Sequence, residues 1–235
     1  MRAVVLAGGQ GTRLDPYTTV VPKPLLPVGE RPILEVIIRQ LASSGFDVLD
    51  LCVGHLGGLI KAYLEQGPRR PEEIELRYHW EEQPLGTAGA LRQIDPPDEA
   101  FLVMNGDILT ALDLAELMRF HVERNPSVTI VTYCLEVRLP LGVVESNAGA
   151  VTGYTEKPAL GYDASTGIYV LDPAALDYIP EERFSELPEL VRTLLDADEH
   201  VVSYRHDGPW FDIGTPESRA EAVAAYMADP HRFDP

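Results

Sequence analysis

At 235 residues, with 45% apolar residues and a formal net charge of 19 − 37 = −18, the chain is long enough for one α/β domain with a sizeable core. Its 19 Gly and 20 Pro are spread out rather than clustered, which excludes a low-complexity or wholly disordered chain. So negative a molecule repels phosphate backbones, which argues against nucleic-acid partners; an anionic ligand must be held locally, by a few cations, backbone N–H groups or a metal ion.

Ala3 to Ala7 is a short apolar run that stops at Gly8-Gly9-Gln10-Gly11, the pattern of a buried strand feeding a glycine loop. Pro22, Pro24 and Pro27 forbid regular helix until Pro32, which stands at a first helical position and begins Ile33 to Ala42. Val48 to Val53 reads as a second buried strand and Leu59 to Leu64 as a short amphipathic helix. Phe101 to Met104 is a third strand, ending at Asn105-Gly106-Asp107. Leu112 to Glu123 is helix-like, and Val128 to Val137 is the longest strand candidate. The second half changes character: Gly142 to Glu145, Gly149 to Thr155 and Gly167 to Leu171 are short strands with little helix between them. Helices return at Glu189 to Leu195 and Glu217 to Met227.

Strands alternating with helices predict a mostly parallel sheet covered on both faces. With no repeat and no long linker, the expectation is a single Rossmann-like, three-layer α/β domain over residues 1–235. Its central sheet is mixed but mostly parallel, with a small β-rich subregion in the second half. Cys52 and Cys134 each sit in an apolar, β-branched stretch and read as two buried free thiols, too few for a disulfide framework or a zinc site. The start turns into glycines too soon for a signal peptide, and no run approaches the roughly 18 apolar residues of a membrane span. A soluble, cytoplasmic protein without a membrane partner is expected.

A strand followed by glycines is where an α/β sheet approaches phosphate, because glycine lets backbone N–H groups come close. A dinucleotide fingerprint from Gly9-Gln10-Gly11 would need Gly or Ala at position 14, which is Leu14; a P-loop would need a Gly-Lys-Ser/Thr triplet, which is absent. What stands is Leu6-Ala7-Gly8-Gly9-Gln10-Gly11-Thr12-Arg13-Leu14, followed by Pro22-Lys23-Pro24-Leu25-Leu26-Pro27-Val28. Arg13 offers a planar fork to phosphate oxygens and Lys23 a compact charge. With 16 arginines and only three lysines, Lys23, Lys61 and Lys157, a lysine kept in a short motif suggests a need for an ammonium rather than a fork.

These two stretches resemble the sugar-1-phosphate nucleotidyltransferases, or NDP-sugar pyrophosphorylases. The resemblance implies a nucleotide-binding half over about 1–125 and a sugar-phosphate-binding half over about 126–235; many relatives append a left-handed β-helix or an acyltransferase domain, and with the chain ending shortly after Asp212 neither is expected here. It implies that Leu6, Ala7, Gly8, Gly9, Gly11, Thr12 and Arg13 hold the nucleotide, and that Gln83 and Gly86 in Glu82-Gln83-Pro84-Leu85-Gly86-Thr87-Ala88-Gly89 face the base, with Thr87 beside them in the nucleotide site or as a helix cap. A side-chain amide both donates and accepts, which suits reading a base. Asp107, at the carboxyl end of a strand, and Asp212, in Trp210-Phe211-Asp212-Ile213-Gly214-Thr215, would share Mg²⁺. Pro140-Leu141-Gly142-Val143-Val144-Glu145 and Tyr154-Thr155-Glu156-Lys157-Pro158 resemble the sugar-phosphate stations, giving Gly142, Glu156 and Lys157. Thr166 and Gly167 are a looser match, since Ser165-Thr166 stands where the family often has Asn-Ala.

The implied reaction is nucleotidyl transfer from an NTP to a sugar 1-phosphate, with Arg13, Lys23 and Asp107 as catalytic residues. Within the family, Pro84 to Gly89 is most similar to guanylyltransferases of mannose 1-phosphate, which favours GTP. Uridylyl and thymidylyl transfer to glucose, N-acetylmuramate or heptose 1-phosphate stays open, as does a silent relative that binds sugar nucleotides for regulation. A glycosyltransferase would carry Asp-x-Asp where Asn105-Gly106-Asp107 stands. The resemblance leaves room for a homodimer.

Overall fold

The computed structural model describes residues 1–66, 73–181 and 183–234. Its strands are β1 (Arg2–Ala7), β2 (Val48–Val53), β3 (Glu75–Trp80), β4 (Phe101–Asn105), β5 (Ile108–Thr110), β6 (Val128–Arg138), β7 (Val143–Asn147), β8 (Ala150–Thr155), β9 (Ala159–Leu171), β10 (Val201–His206) and β11 (Trp210–Asp212). Seven of them form one sheet in the order β10-β6-β9-β4-β1-β2-β3. Neighbours run parallel except at β9, which is antiparallel to both β4 and β6. The mostly parallel, mixed sheet is thus as expected. β5–β11 and β7–β8 are separate antiparallel pairs.

The helices are α1 (Ile33–Ser43), α2 (Gly57–Gln66), α3 (Gly86–Gly89), α4 (Leu114–Arg124), α5 (Leu187–Asp196) and α6 (Pro216–Ala228). Side-chain alternation along the strands sends Val5, Leu51 and Met104 into one core with α1, α2, α4 and α6, and Val4, Cys52 and Val103 into another with α3 and α5. Both faces are covered, so the central strands read as unbroken apolar runs. Pro32 is the cap before α1 rather than its first residue, and the proline-rich stretch ahead of it forms short 3₁₀ turns at Thr12–Leu14, Tyr17–Thr19 and Lys23–Leu25.

Beyond the last β10 partner at Tyr133, the outer parts of β6 and β9 pair only with each other among the described residues, from Cys134↔Asp163 to Arg138↔Ala159. No helix layer covers this ribbon, so Leu135, Val137, Leu160 and Tyr162 are exposed. For the same reason Cys134 is half-buried rather than buried, and Cys52 alone is a core thiol, its pKa pushed up by burial.

The short turn after α6 packs back on α6 and β11. Phe233 is buried at 1% exposure, its ring 6.2 Å from that of Tyr226 and 6.4 Å from that of Phe211, next to Asp212. Phe233→Ala should cost about 3–5 kcal/mol, read from the urea unfolding midpoint at unchanged slope.

Candidate active site

β1, β2 and β4 are parallel, so their loops leave from one edge of the sheet. β2 and β3 lie to one side of β1 and β4 to the other, and such a reversal of strand order leaves a crevice at the carboxyl end of β1. The Gly106 N–H donates to the Leu6 carbonyl at 2.9 Å, and the His55 N–H to the Gly8 carbonyl at 3.3 Å, fixing the three loops together. A cavity of about 460 Å³ opens there. It gathers Leu6, Ala7, Gly8, Gly9, Gly11, Thr12, Arg13, Lys23, Gly86, Thr87 and Asp107 in its lining, and adds Glu81, Asn105, Phe184 and Glu186, which were not expected.

One end of this cavity brings its cations together with carboxylates. Pro22 and Pro24 bracket Lys23 in its 3₁₀ turn and are buried with it, so the backbone is committed and the ammonium is delivered to a fixed place. Lys23 Nζ donates to the Asp107 carboxylate and lies 3.5 Å from Asp212 Oδ1. The two aspartates come from distant segments brought together by β5 and β11: Asp212 stands opposite Ile108, and the Ile213 N–H donates to the Asp107 carbonyl at 3.1 Å. Immediately after Asp212, Thr215 caps α6 with a reciprocal Ser218 bond and Pro216 follows at the first turn. Arg13 Nη2 lies 3.1 Å from where a Cβ on Gly214 would stand, so its guanidinium reaches this loop as well. Among the described residues no group of three or more His, Cys, Asp and Glu is placed to hold a metal. Two hard carboxylates around a position already occupied by an ammonium nonetheless fit a divalent ion that takes its other ligands from phosphates and water.

The other end is acidic. The Glu81 N–H continues the β2–β3 ladder by donating to the Val53 carbonyl at 2.8 Å, which turns its side chain back over the glycine loop. Oε2 accepts the Leu85 N–H at 3.2 Å, while Oε1 overhangs Gly8 so closely that a Cβ there would collide with it. Burial raises the Glu81 pKa above the usual glutamate range, opposed only by the Leu85 bond. Thr87 caps the neighbouring helix rather than its own: its hydroxyl donates to Glu186 Oε2 at 2.6 Å and accepts the Leu187 N–H at 2.8 Å. A carboxyl whose folded pKa is raised is neutral at no cost below its unfolded pKa, and costs stability once pH rises through the folded value. Glu81→Gln should therefore stabilise the protein more at pH 8 than at pH 4, as read from thermal midpoints.

The remaining expected residues lie elsewhere. Gln83 is exposed and outside the lining. Gly142, Glu156 and Lys157 are on the exposed β7–β8 side, where the Tyr154 hydroxyl donates to Glu156 Oε2 at 2.7 Å and Gly142 leaves room for that tyrosine. The Thr166 hydroxyl is turned inward, donating to the Val131 carbonyl at 2.9 Å, so its side chain faces no ligand. Gly167, at φ +77°, packs on the Asn105 amide with no space for a Cβ; glycine alone fits both requirements. It thereby backs a cavity residue without lining the cavity itself. Glu81 carried no sequence signal, because its meaning comes from reaching across β2 to Gly8.

Comparison with known proteins gives the family. Residues 2–229 match the model of the family described as Nucleotidyl transferase. A UTP–glucose-1-phosphate uridylyltransferase from Synechocystis is 31% identical over 97% of this chain and 64% of its own, and a mannose-1-phosphate guanyltransferase from Yarrowia lipolytica is 29% identical over 100% and 66%. The chain thus spans about two thirds of the length of these relatives. The structure of a UDP-glucose pyrophosphorylase from Acinetobacter baumanii superposes with a TM-score of 0.76 at 21% identity, covering 99% of this chain and 95% of that one; it shares the fold. With nearly every residue inside the family match, the chain belongs to the nucleotidyl transferase family.

Proposed function

We propose that the protein transfers a nucleotidyl group from an NTP to a sugar 1-phosphate and releases pyrophosphate, with GTP and mannose 1-phosphate as the favoured pair. The observation that carries this reading is the cavity at the carboxyl edge of β1, where the glycine loop meets Lys23, itself bonded to carboxylates from two segments far apart in the sequence. Relatives named as mannose-1-phosphate guanyltransferases match the chain over its whole length, which supports the choice of substrates. A cytoplasmic location goes with this reading.

The chemistry asks little of the protein beyond positioning and charge. An oxygen of the sugar phosphate, already anionic, forms a bond to the α-phosphorus of the NTP; the bond to the bridging oxygen breaks and its electrons leave with pyrophosphate. No general base is needed. The obstacle is the approach of two anions, and Arg13, Lys23 and the loop N–H groups offset it where charge builds up. Asp107 and Asp212 would hold Mg²⁺, which supplies charge neutralisation on the phosphates when bound. Gly142, Glu156 and Lys157 would meet the sugar phosphate from the second half, with Gly167 supporting the Asn105 amide behind it.

The test is a pyrophosphate-release screen of GTP, UTP, dTTP, ATP and CTP against several sugar 1-phosphates. Release is expected only when NTP, sugar 1-phosphate and Mg²⁺ are all present. Silence from every pair, by a folded protein, overturns the reading.

A further inference from the structure

We infer that Glu81 is the residue that selects the nucleobase, and that it selects guanine. This rests on the proposed nucleotidyl transfer and adds to it the group that reads the base. The cavity is electrically two-ended: Arg13 and Lys23 stand toward Asp107 and Asp212, while Glu81 and Glu186 stand at the Gly8 and Thr87 end. A nucleotide is two-ended in the same way, with anionic phosphates at one side and a base edge at the other.

The base edges differ in what they offer a carboxylate. Guanine presents two adjacent donors, N1–H and the N2 amino group, matching the two oxygens of one carboxylate. Uracil and thymine present a single N–H between two carbonyl oxygens, so one carboxylate oxygen would face an acceptor. Adenine and cytosine place a ring-nitrogen lone pair beside their amino group, with the same result.

Of the two acidic residues, Glu186 is already committed, its Oε2 accepting both the Thr87 N–H and the Thr87 hydroxyl. Among the described residues no cation pairs with Glu81, and only the Leu85 N–H bonds its carboxylate. A half-buried carboxylate without a counter-ion is costly to the fold, and a donor pair on a ligand offsets that cost. Gln83, the residue expected to read the base, is exposed outside the lining, two positions beyond the carboxylate that overhangs the loop.

The experiment is calorimetric binding of GTP and ITP to the wild-type chain and to Glu81→Gln and Glu81→Asp, each checked for folding by circular dichroism. ITP keeps the guanine O6 and N1–H but lacks the N2 amino group. The wild type is expected to bind GTP about 10- to 100-fold more tightly than ITP, and Glu81→Gln should bring that ratio close to one. Glu81→Asp keeps the charge but shortens its reach, and should fall between. A GTP/ITP ratio that Glu81→Gln leaves intact overturns the assignment. So does pyrophosphate release by the wild type from UTP or dTTP but not GTP, an outcome that leaves nucleotidyl transfer standing. Conversely, a Glu81-dependent ratio in a protein that releases no pyrophosphate sustains base selection and removes the transferase reading. Absence of GTP binding removes both.

Discussion

The Asp107→Asn protein should release pyrophosphate about 100- to 1,000-fold more slowly than the wild type at moderate Mg²⁺, with an unchanged circular dichroism spectrum. Asparagine has the same shape and keeps one carbonyl oxygen for Lys23, so β5 and its pairing to β11 are undisturbed. What it loses is the charge that, with Asp212, would hold a divalent ion against the phosphates. Part of the lost rate should return as Mg²⁺ is raised, because the defect lies in ion affinity as well as in charge placement. Rates measured across a Mg²⁺ titration check this. A variant with near-normal turnover at low Mg²⁺ would remove Asp107 from the proposed chemistry.

Lys23→Met should reduce turnover about 100-fold or more and also destabilise the metal-free protein. Lys23 is 8% exposed, and its ammonium is the charge that keeps Asp107 and Asp212 compatible; without it two like charges face each other. Asp212 is 42% exposed at its side chain, so solvent moderates the cost to about 1–3 kcal/mol. Added Mg²⁺ should then raise the thermal midpoint of the variant more than that of the wild type, where the ion and the ammonium compete for the same carboxylates. Lys23→Arg should not match the wild type, since a planar, bulkier guanidinium does not reproduce one compact ammonium set between the Asp107 and Asp212 carboxylates. Equal Mg²⁺ shifts in wild type and Lys23→Met would show that Lys23 does not occupy the ion's place.

Much of the architecture was legible because its central strands are buried on both faces. Val48–Val53 and Phe101 onward are continuous apolar runs whose length and glycine endings mark them as strands. β3 escaped notice since Glu75–Trp80 is a polar edge strand with half-exposed residues, which looks like loop without its partner β2. β5 and β11 are three residues each and exist only through one another. The outer half of β9 is exposed on the ribbon, so no apolar pattern marks it. The cationic end of the cavity was readable from local motifs, as Lys23 between two prolines and Asp107 after a strand need little context. Glu81 and the inward Thr166 hydroxyl were not, because each is defined by what the fold lays against it: Gly8 in one case, the Val131 carbonyl in the other.

The single reversed strand has a mechanical consequence. Over Ile168–Leu171, β9 is zipped to β4 on one flank, and over Tyr169–Leu171 it is zipped to β6 on the other. Residues on either side of the chain's midpoint therefore share an unbroken ladder with no hinge between them. Heating should melt the molecule in one cooperative step, with calorimetric and van't Hoff enthalpies in agreement. Any closing over a bound sugar nucleotide falls to the free-standing ribbon, bending beyond Tyr133 and Ala164 like the tip of a cantilever.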